Sequence, residues 1–149
     1  MKYRSFQTED SAEVKMMIHQ YYLEDHPDQA LSDEQVERTL DEFLRHPEKG
    51  AVLLLLEKGA VLGYSILVYF WSNEMGGDIV NIDELFVKSE HRGKGLGTAF
   101  VKSLIEDRFK DCVRIELVTT PQNERARKLY SSLGFSAGKD FHMEYSFTV

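Results

Sequence analysis

Three glycines alternate with larger residues in the segment HRGKGLGTAF, which covers residues 91–100. Glycine has no Cβ atom, so a backbone rich in glycine can approach a ligand closely. The segment follows an apolar stretch that ends at Val87 and precedes a helical pattern that begins near Leu96. The free N–H groups at a helix N-terminus carry partial positive charge. This arrangement predicts a loop that binds an anion such as phosphate.

Two common phosphate-binding motifs do not fit this loop. The dinucleotide-binding fingerprint has the spacing G-x-G-x-x-G, whereas the glycines here follow G-x-G-x-G. The P-loop requires a Ser or Thr directly after its lysine, and here Lys94 is followed by Gly95. The plainer alternative is a glycine-rich turn that only shapes the junction between a strand and a helix.

Two adjacent carboxylates, Asp83 and Glu84, lie in the apolar stretch just before the loop. Neighbouring residues of a regular strand point to opposite faces, and Asp83 would then share its face with Asn81. A β-bulge in the strand could exchange these faces.

Hydrophobic periodicity predicts the elements that position these residues. The predicted order is β-α-α-β-β-β-α-β-α-β, a mixed α/β or α+β domain with helices packed on one sheet. A Ser32–Gln35 capping box is expected at the start of the second helix. The last strand is predicted from the alternation of Phe141, Met143, Tyr145 and Phe147 with polar residues.

Length, net charge and composition exclude several classes of protein. A length of 149 residues suits a single domain over residues 1–149, and a net charge of −7 argues against nucleic acid as a partner. No apolar run approaches the roughly 20 residues that a membrane helix needs. The one cysteine, Cys112, excludes an internal disulfide, and the five histidines show no metal-ligand spacing. We therefore expect a cytoplasmic protein without a metal or a membrane partner.

Three segments resemble the GNAT superfamily of N-acetyltransferases. Arg92-x-x-Gly95-x-Gly97 is similar to the acetyl-coenzyme A signature of that superfamily, R/Q-x-x-G-x-G/A. The segment DELFV, residues 83–87, looks like its fourth strand. Residues 123–135 are similar to its N-x-x-A-x-x-x-Y-x-x-x-G-F motif. The predicted order of elements also matches, so the resemblance covers nearly the whole chain.

The resemblance implies acetyl-coenzyme A as the cosubstrate. Amides of the glycine loop would hold its pyrophosphate, Arg92 would help to set that loop, and main-chain groups of the fourth strand would pair with the pantetheine arm. Asn123 matches a position near the pantetheine, and it also fits a helix N-cap. The implied binding residues are Leu85, Phe86, Val87, Arg92, Gly93, Lys94, Gly95, Leu96, Gly97, Thr98, Asn123 and Tyr130.

Acetyl transfer to an amine needs a base for the amine proton, donors for the oxyanion and a proton for the leaving thiolate. Tyr130 matches the family tyrosine beside the coenzyme sulfur and is the predicted proton donor, although its apolar helical stripe also fits a core side chain. Family members place a base, or a residue that organises water, at positions that match both Asp83 and Glu84. Asp83 is the preferred base and Glu84 the alternative. The N–H of Val87 is expected near the oxyanion.

The acceptor is expected to be a small cationic amine that attacks directly in a ternary complex. The resemblance maps the acceptor site to Tyr21, Tyr22, Glu24, Asp25 and His26, and to residues 71–78. The predicted fourth strand with its two acids resembles polyamine-type and aminoglycoside-type members of the superfamily alike. The resemblance therefore assigns no subfamily. A non-catalytic acyl-coenzyme A sensor, a protein or peptide N-acetyltransferase and a transferase for a longer acyl group are alternatives. Family members are often homodimers, and no interface can be identified from the sequence.

Overall fold

Five strands form one mixed sheet in a computed structural model that describes residues 2–147. Strands β1 to β4 pair antiparallel with their neighbours in chain order, and β5 pairs parallel with β4. This arrangement confirms the predicted mixed fold class. The elements in chain order are β1 (Lys2–Ser5), α1 (Ser11–Asp25), α2 (Asp33–Arg45), β2 (Gly50–Glu57), β3 (Ala60–Ser72), β4 (Gly77–Val87), α3 (Leu96–Glu106), β5 (Arg114–Leu117) and α4 (Glu124–Ser132).

The chain divides into two units, with the boundary between Val118 and Thr119. The first unit contains the whole sheet and helices α1 to α3, and the second contains α4. The single domain predicted over residues 1–149 stays a prediction.

The core of the first unit lies where α1 and α2 cover the sheet. Val52 and Leu54 of β2 pack in a buried cluster with side chains of both helices. Leu53 and Leu55 point to the opposite face of β2 and are also buried. Helices on both faces of a sheet produce such continuous apolar strands, which explains the unbroken apolar run in this part of the sequence.

A capping box fixes the start of α2, as predicted. The Ser32 hydroxyl accepts a hydrogen bond from the Gln35 N–H at 3.2 Å, and the Gln35 side-chain oxygen accepts one from the Ser32 N–H at 2.9 Å. The box satisfies two N–H groups that a helix otherwise leaves open. It therefore sets the helical register of the α2 residues that follow.

The last strand of the predicted order is wrong for the described part of the chain. Residues 138–147 form no strand, and Phe141, Met143, Tyr145 and Phe147 are 82 to 94% exposed. Alternation of apolar and polar residues gives a strand only where a neighbouring strand supplies hydrogen bonds and one face is buried. Residues 138–147 have neither within the described chain.

We predict that Gly63→Ala destabilises the sheet strongly. Gly63 lies on β3 opposite Val87, and a Cβ atom there would lie 2.1 Å from the carbonyl oxygen of Phe86. Because that oxygen belongs to the backbone of β4, the strands must separate, and we expect a loss of about 2 to 3 kcal/mol in the free energy of unfolding. Urea denaturation measures the loss. Gly138→Ala is the control, because its added methyl group meets no atom within 4 Å; equal stability of both variants would contradict the prediction.

Candidate active site

A β-bulge at Asp83 interrupts the pairing of β3 with β4. Ile66 lies opposite Glu84 and Leu67 lies opposite Ile82, so Asp83 has no partner residue on β3. The bulge that the sequence left open as an alternative is therefore present, and an extra residue of this kind redirects neighbouring side chains. Asp83 and Glu84, expected on opposite faces of a regular strand, both line one cavity of about 680 Å³.

Three elements besides β4 form the walls of this cavity. Tyr22 lines it from α1 and Ile66 from β3. One face of α2 contributes four polar residues, Gln35, Arg38, Thr39 and Glu42. The cavity therefore combines apolar surface with a small number of charged groups, as sites for small molecules commonly do.

Glu84 is a buried carboxylate held by two tyrosines. Its side chain is 6% exposed, and its two oxygens accept hydrogen bonds from the hydroxyls of Tyr22 at 2.8 Å and Tyr64 at 2.7 Å. Burial raises the pKa of Glu84, and the two hydrogen bonds partly oppose that rise. Burial and the Glu84 charge also raise the pKa of both tyrosines, so each hydroxyl stays protonated and donates.

Asp83 has a different environment. Its side chain is exposed at the cavity, and among residues 2–147 it forms no hydrogen bond or ion pair. The protein around the cavity wall partly desolvates the carboxylate and raises its pKa. Within residues 2–147 no arginine pairs with Asp83 or with Glu84. Asp83 thus has free lone pairs and an elevated proton affinity, which are the properties of a general base.

We predict that Tyr64→Phe destabilises the protein in a pH-dependent way. Removing the hydroxyl leaves one oxygen of buried Glu84 without its donor and raises the pKa of Glu84 further. The cost falls mainly on the ionised carboxylate, so we expect a loss of about 1 to 3 kcal/mol at about pH 8 and a smaller loss at about pH 5, where protonation of Glu84 increases. Denaturation at both pH values measures this difference. Tyr145→Phe, at an 83% exposed position, is the control; an equal loss at both pH values would contradict the prediction.

The glycine loop leads directly into α3. Gly93 and Gly95 each have a φ of 74°, in the left-handed region that favours glycine. Gly95 is the N-cap residue of α3, and no side chain caps this helix end. The N–H groups of the first turn therefore have no side-chain cap, which leaves them available to an anion.

Arg92 connects this loop to two other elements. Its Nε atom donates to the carbonyl oxygen of Val87 at 2.7 Å, and its Nη2 atom donates to Glu24 at 2.6 Å. Its guanidinium group also lies over the Phe86 ring, 5.2 Å from the ring centroid. These contacts link the end of β4, the end of α1 and the start of the loop, so Arg92 is a structural anchor rather than a solvated charge.

Part of the β4 backbone is open on one side. The parallel pairing with β5 ends at Ile82, which lies opposite Leu117. Beyond that point no strand of the described chain pairs with β4 on the β5 side, while β3 pairs with it as far as Val87. Main-chain groups of Leu85, Phe86 and Val87 that point to this side are therefore available to an extended ligand, except for the Val87 carbonyl oxygen, which accepts from Arg92.

The second unit contains the other predicted site residues. The Asn123 side chain accepts a hydrogen bond from the Ala126 N–H at 3.0 Å, so the expected N-cap of α4 is confirmed. Tyr130 lies on α4, and its ring packs edge-on against Phe135 with centroids 5.4 Å apart. Burial raises the pKa of Tyr130, which keeps its hydroxyl protonated at neutral pH. Its role as a proton donor stays a prediction.

The predicted acceptor residues are only partly brought together. Tyr22 reaches Glu84, and its ring packs near Tyr21 and His26 with centroid distances of 5.2 and 5.4 Å. The carboxylate of Glu24 forms an ion pair with Arg92. No residue of 71–78 lines the cavity. Sequence reasoning missed Tyr64 and the polar face of α2, although the spacing of residues 35, 38, 39 and 42 places them on one side of a helix.

Metal ligands, membrane helices and a reactive thiol are features of other kinds of site. Within residues 2–147, no three His, Cys, Asp or Glu side chains come together as metal ligands would. No helix in that range is both long and apolar enough to cross a membrane. Cys112 is 9% exposed, and burial raises the pKa of its thiol, so little reactive thiolate forms.

Comparisons with known proteins place this geometry in context. A sequence model described as the Acetyltransferase (GNAT) family matches residues 15–135. Thialysine N-epsilon-acetyltransferase of Bos taurus is 33% identical over 75 residues, which cover 50% of this chain and 44% of the relative. Aminoglycoside N(6')-acetyltransferase type 1 of Klebsiella pneumoniae is 35% identical over 68 residues, which cover 44% of this chain and 34% of the relative. The chain thus spans less than half the length of these curated relatives.

A solved structure shows the same fold. The crystal structure of a possible acetyltransferase from Clostridium difficile 630 aligns with a TM-score of 0.87. The alignment covers 99% of this chain and 98% of that chain at 19% identity.

Proposed function

Since the chain belongs to the GNAT acetyltransferase family, whose members use acetyl-coenzyme A as cosubstrate, we propose that it transfers an acetyl group from acetyl-coenzyme A to a primary amine. The observation that carries the proposal is the bulge in β4, which places Asp83 and Glu84 together in one cavity beside the open strand backbone. Two carboxylates in a partly enclosed cavity attract a small cationic amine.

Acetyl-coenzyme A binds along the first unit in this proposal. The amides of Gly93, Lys94, Gly95, Leu96, Gly97 and Thr98 receive the pyrophosphate, supported by the left-handed glycines and the uncapped start of α3. The pantetheine arm pairs with the free edge of β4 at Leu85, Phe86 and Val87.

The chemical step is direct attack of the amine on the thioester. The acceptor enters as an ammonium ion, and its partial desolvation in the cavity lowers its pKa. Asp83 accepts the amine proton, the nitrogen forms a bond to the acetyl carbon, and the Val87 N–H binds the oxyanion. The carbon–sulfur bond then breaks, and Tyr130 donates a proton to the leaving thiolate. The nitrogen loses its second proton as the amide forms; that proton restores the Tyr130 hydroxyl through solvent, and Asp83 releases the first proton to solvent.

Asp83 is the base in this proposal, and Glu84 is the fixed negative charge. Both oxygens of Glu84 already accept hydrogen bonds from tyrosines, whereas Asp83 has no donor in the described chain. Glu84 therefore attracts the ammonium group, and Asp83 is free to take its proton.

A thiol-release screen tests the proposed function. Purified protein is mixed with acetyl-, propionyl- or succinyl-coenzyme A and with polyamines, aminoglycosides, amino acids or peptides. We expect thiol release with acetyl-coenzyme A and at least one small cationic amine. Coenzyme A binding by calorimetry without thiol release from any acceptor would overturn the proposal in favour of the sensor alternative.

A further inference from the structure

Four charged side chains line the cavity of about 680 Å³ that contains Asp83 and Glu84, and these side chains differ in their partners. Glu84 accepts from two tyrosines, and Glu42 pairs with Lys49 at 2.5 Å. Lys49 lowers the pKa of Glu42, which keeps that pair charged on both sides. Asp83 and Arg38 form no hydrogen bond or ion pair within residues 2–147. The cavity therefore offers a ligand one unengaged anion and one unengaged cation.

Two glutamates on α2 could form an ion pair with Arg38, and neither does. Glu34 and Glu42 lie four residues before and after it on α2, the spacing at which helical ion pairs form. On the same helix, Arg45 does form such a pair, with Asp41 at 2.9 Å. Because Arg38 instead lines the cavity, its guanidinium group is available to a ligand rather than to the helix surface.

We propose that Arg38 binds a carboxylate of the acceptor, so the preferred acceptor is an amino acid whose side-chain amine is acetylated. This inference rests on the proposed function and names its substrate class. A guanidinium group matches a carboxylate with two parallel N–H donors. The acceptor would span the cavity with its side-chain ammonium at Asp83 and its carboxylate at Arg38. A diamine or polyamine has no group for Arg38.

Pairs of acceptors that differ only in the carboxylate measure its contribution to kcat/KM. L-ornithine, L-lysine and thialysine are each compared with the corresponding carboxamide, which keeps both amines and removes only the negative charge. The measured quantity is kcat/KM for acetyl transfer to the side-chain nitrogen. We expect the wild-type protein to prefer the acid over its amide by about tenfold or more for at least one pair.

Variants of Arg38 and Arg45 test whether Arg38 binds the carboxylate. Arg38→Gln should reduce kcat/KM for the acid by about tenfold, mostly through KM, and change that for the amide by less than about twofold. Arg38→Lys should recover part of the loss, because a lysine keeps the charge without the bidentate geometry. Arg45→Gln is the control on the same helix, outside the cavity lining, and should leave both values unchanged. Arg38 is exposed, so its variants should unfold at the wild-type temperature.

Several outcomes would overturn the inference. Equal use of acid and amide by the wild type would do so, as would a loss in Arg38→Gln that is the same for both. Acetylation of aminoglycosides or polyamines alone would overturn it and leave the proposed function intact. Absence of transfer to any amine would overturn both.

Discussion

Asp83→Asn should lower kcat/KM for the acceptor amine by about 10²- to 10⁴-fold, the usual contribution of a general base. Asparagine keeps the size of the side chain at the bulge but cannot accept the amine proton. Partial desolvation at the cavity wall raises the pKa of Asp83, so the wild-type rate should rise with pH through a value above the ordinary pKa of aspartate, about 3.9. The variant should lose this acidic limb and keep its affinity for acetyl-coenzyme A.

The matched control is Glu84→Gln. Its pH profile separates the two carboxylates, because the proposal gives Glu84 a charge that attracts the ammonium group and no proton transfer. We expect the variant to raise KM for the amine and to retain the acidic limb of kcat/KM. Loss of that limb in Glu84→Gln alone would make Glu84 the base. Loss in neither variant would show that no carboxylate of β4 acts as the base.

Tyr130→Phe should lower kcat by about 10²-fold or more while the dissociation constant of acetyl-coenzyme A stays unchanged. The substitution removes only the hydroxyl, so the packing of the ring on Phe135 is preserved. Without a proton donor the thiolate must leave as an anion, which slows the breaking of the carbon–sulfur bond. Steady-state kinetics and calorimetry provide the two values.

Tyr145→Phe serves as the control for this variant. Tyr145 also lies in the second unit, and it is 83% exposed. Its loss of a hydroxyl should leave kcat unchanged. An unchanged kcat in Tyr130→Phe as well would reject the proton donor and leave Tyr130 as a core side chain.

Local patterns in the sequence were sufficient where the structure depends on local chemistry. The capping box of α2, the Asn123 N-cap and the glycines before α3 all act within a few residues, so their residue types and spacing predict them. The buried strands could likewise be recognised from their apolar runs. The bulge at Asp83 could be named only as an alternative, because it is defined by the register between β3 and β4.

The remaining differences arise from contacts between distant residues. In the sequence, Tyr64 is a large residue within an apolar strand, and nothing local marks it as a site residue. Its hydroxyl reaches Glu84, twenty residues further along the chain, only in the folded protein. The free edge of β4 exists because pairing with β5 stops at Ile82, and no residue type marks that point. At residues 141–147 the alternating pattern is present, but the described chain provides no pairing strand.

Transfer of a labelled acetyl group tests direct acetylation of an amine most directly. The protein is incubated with trideuterated acetyl-coenzyme A and the acceptor found in the screen, and mass spectrometry follows the label on the amine and on the protein. We predict that the label appears on the amine in an amount equal to the thiol released, with none on Cys112 at any time. A labelled Cys112 that forms and decays during turnover, or thiol release without a labelled amine, would contradict direct transfer.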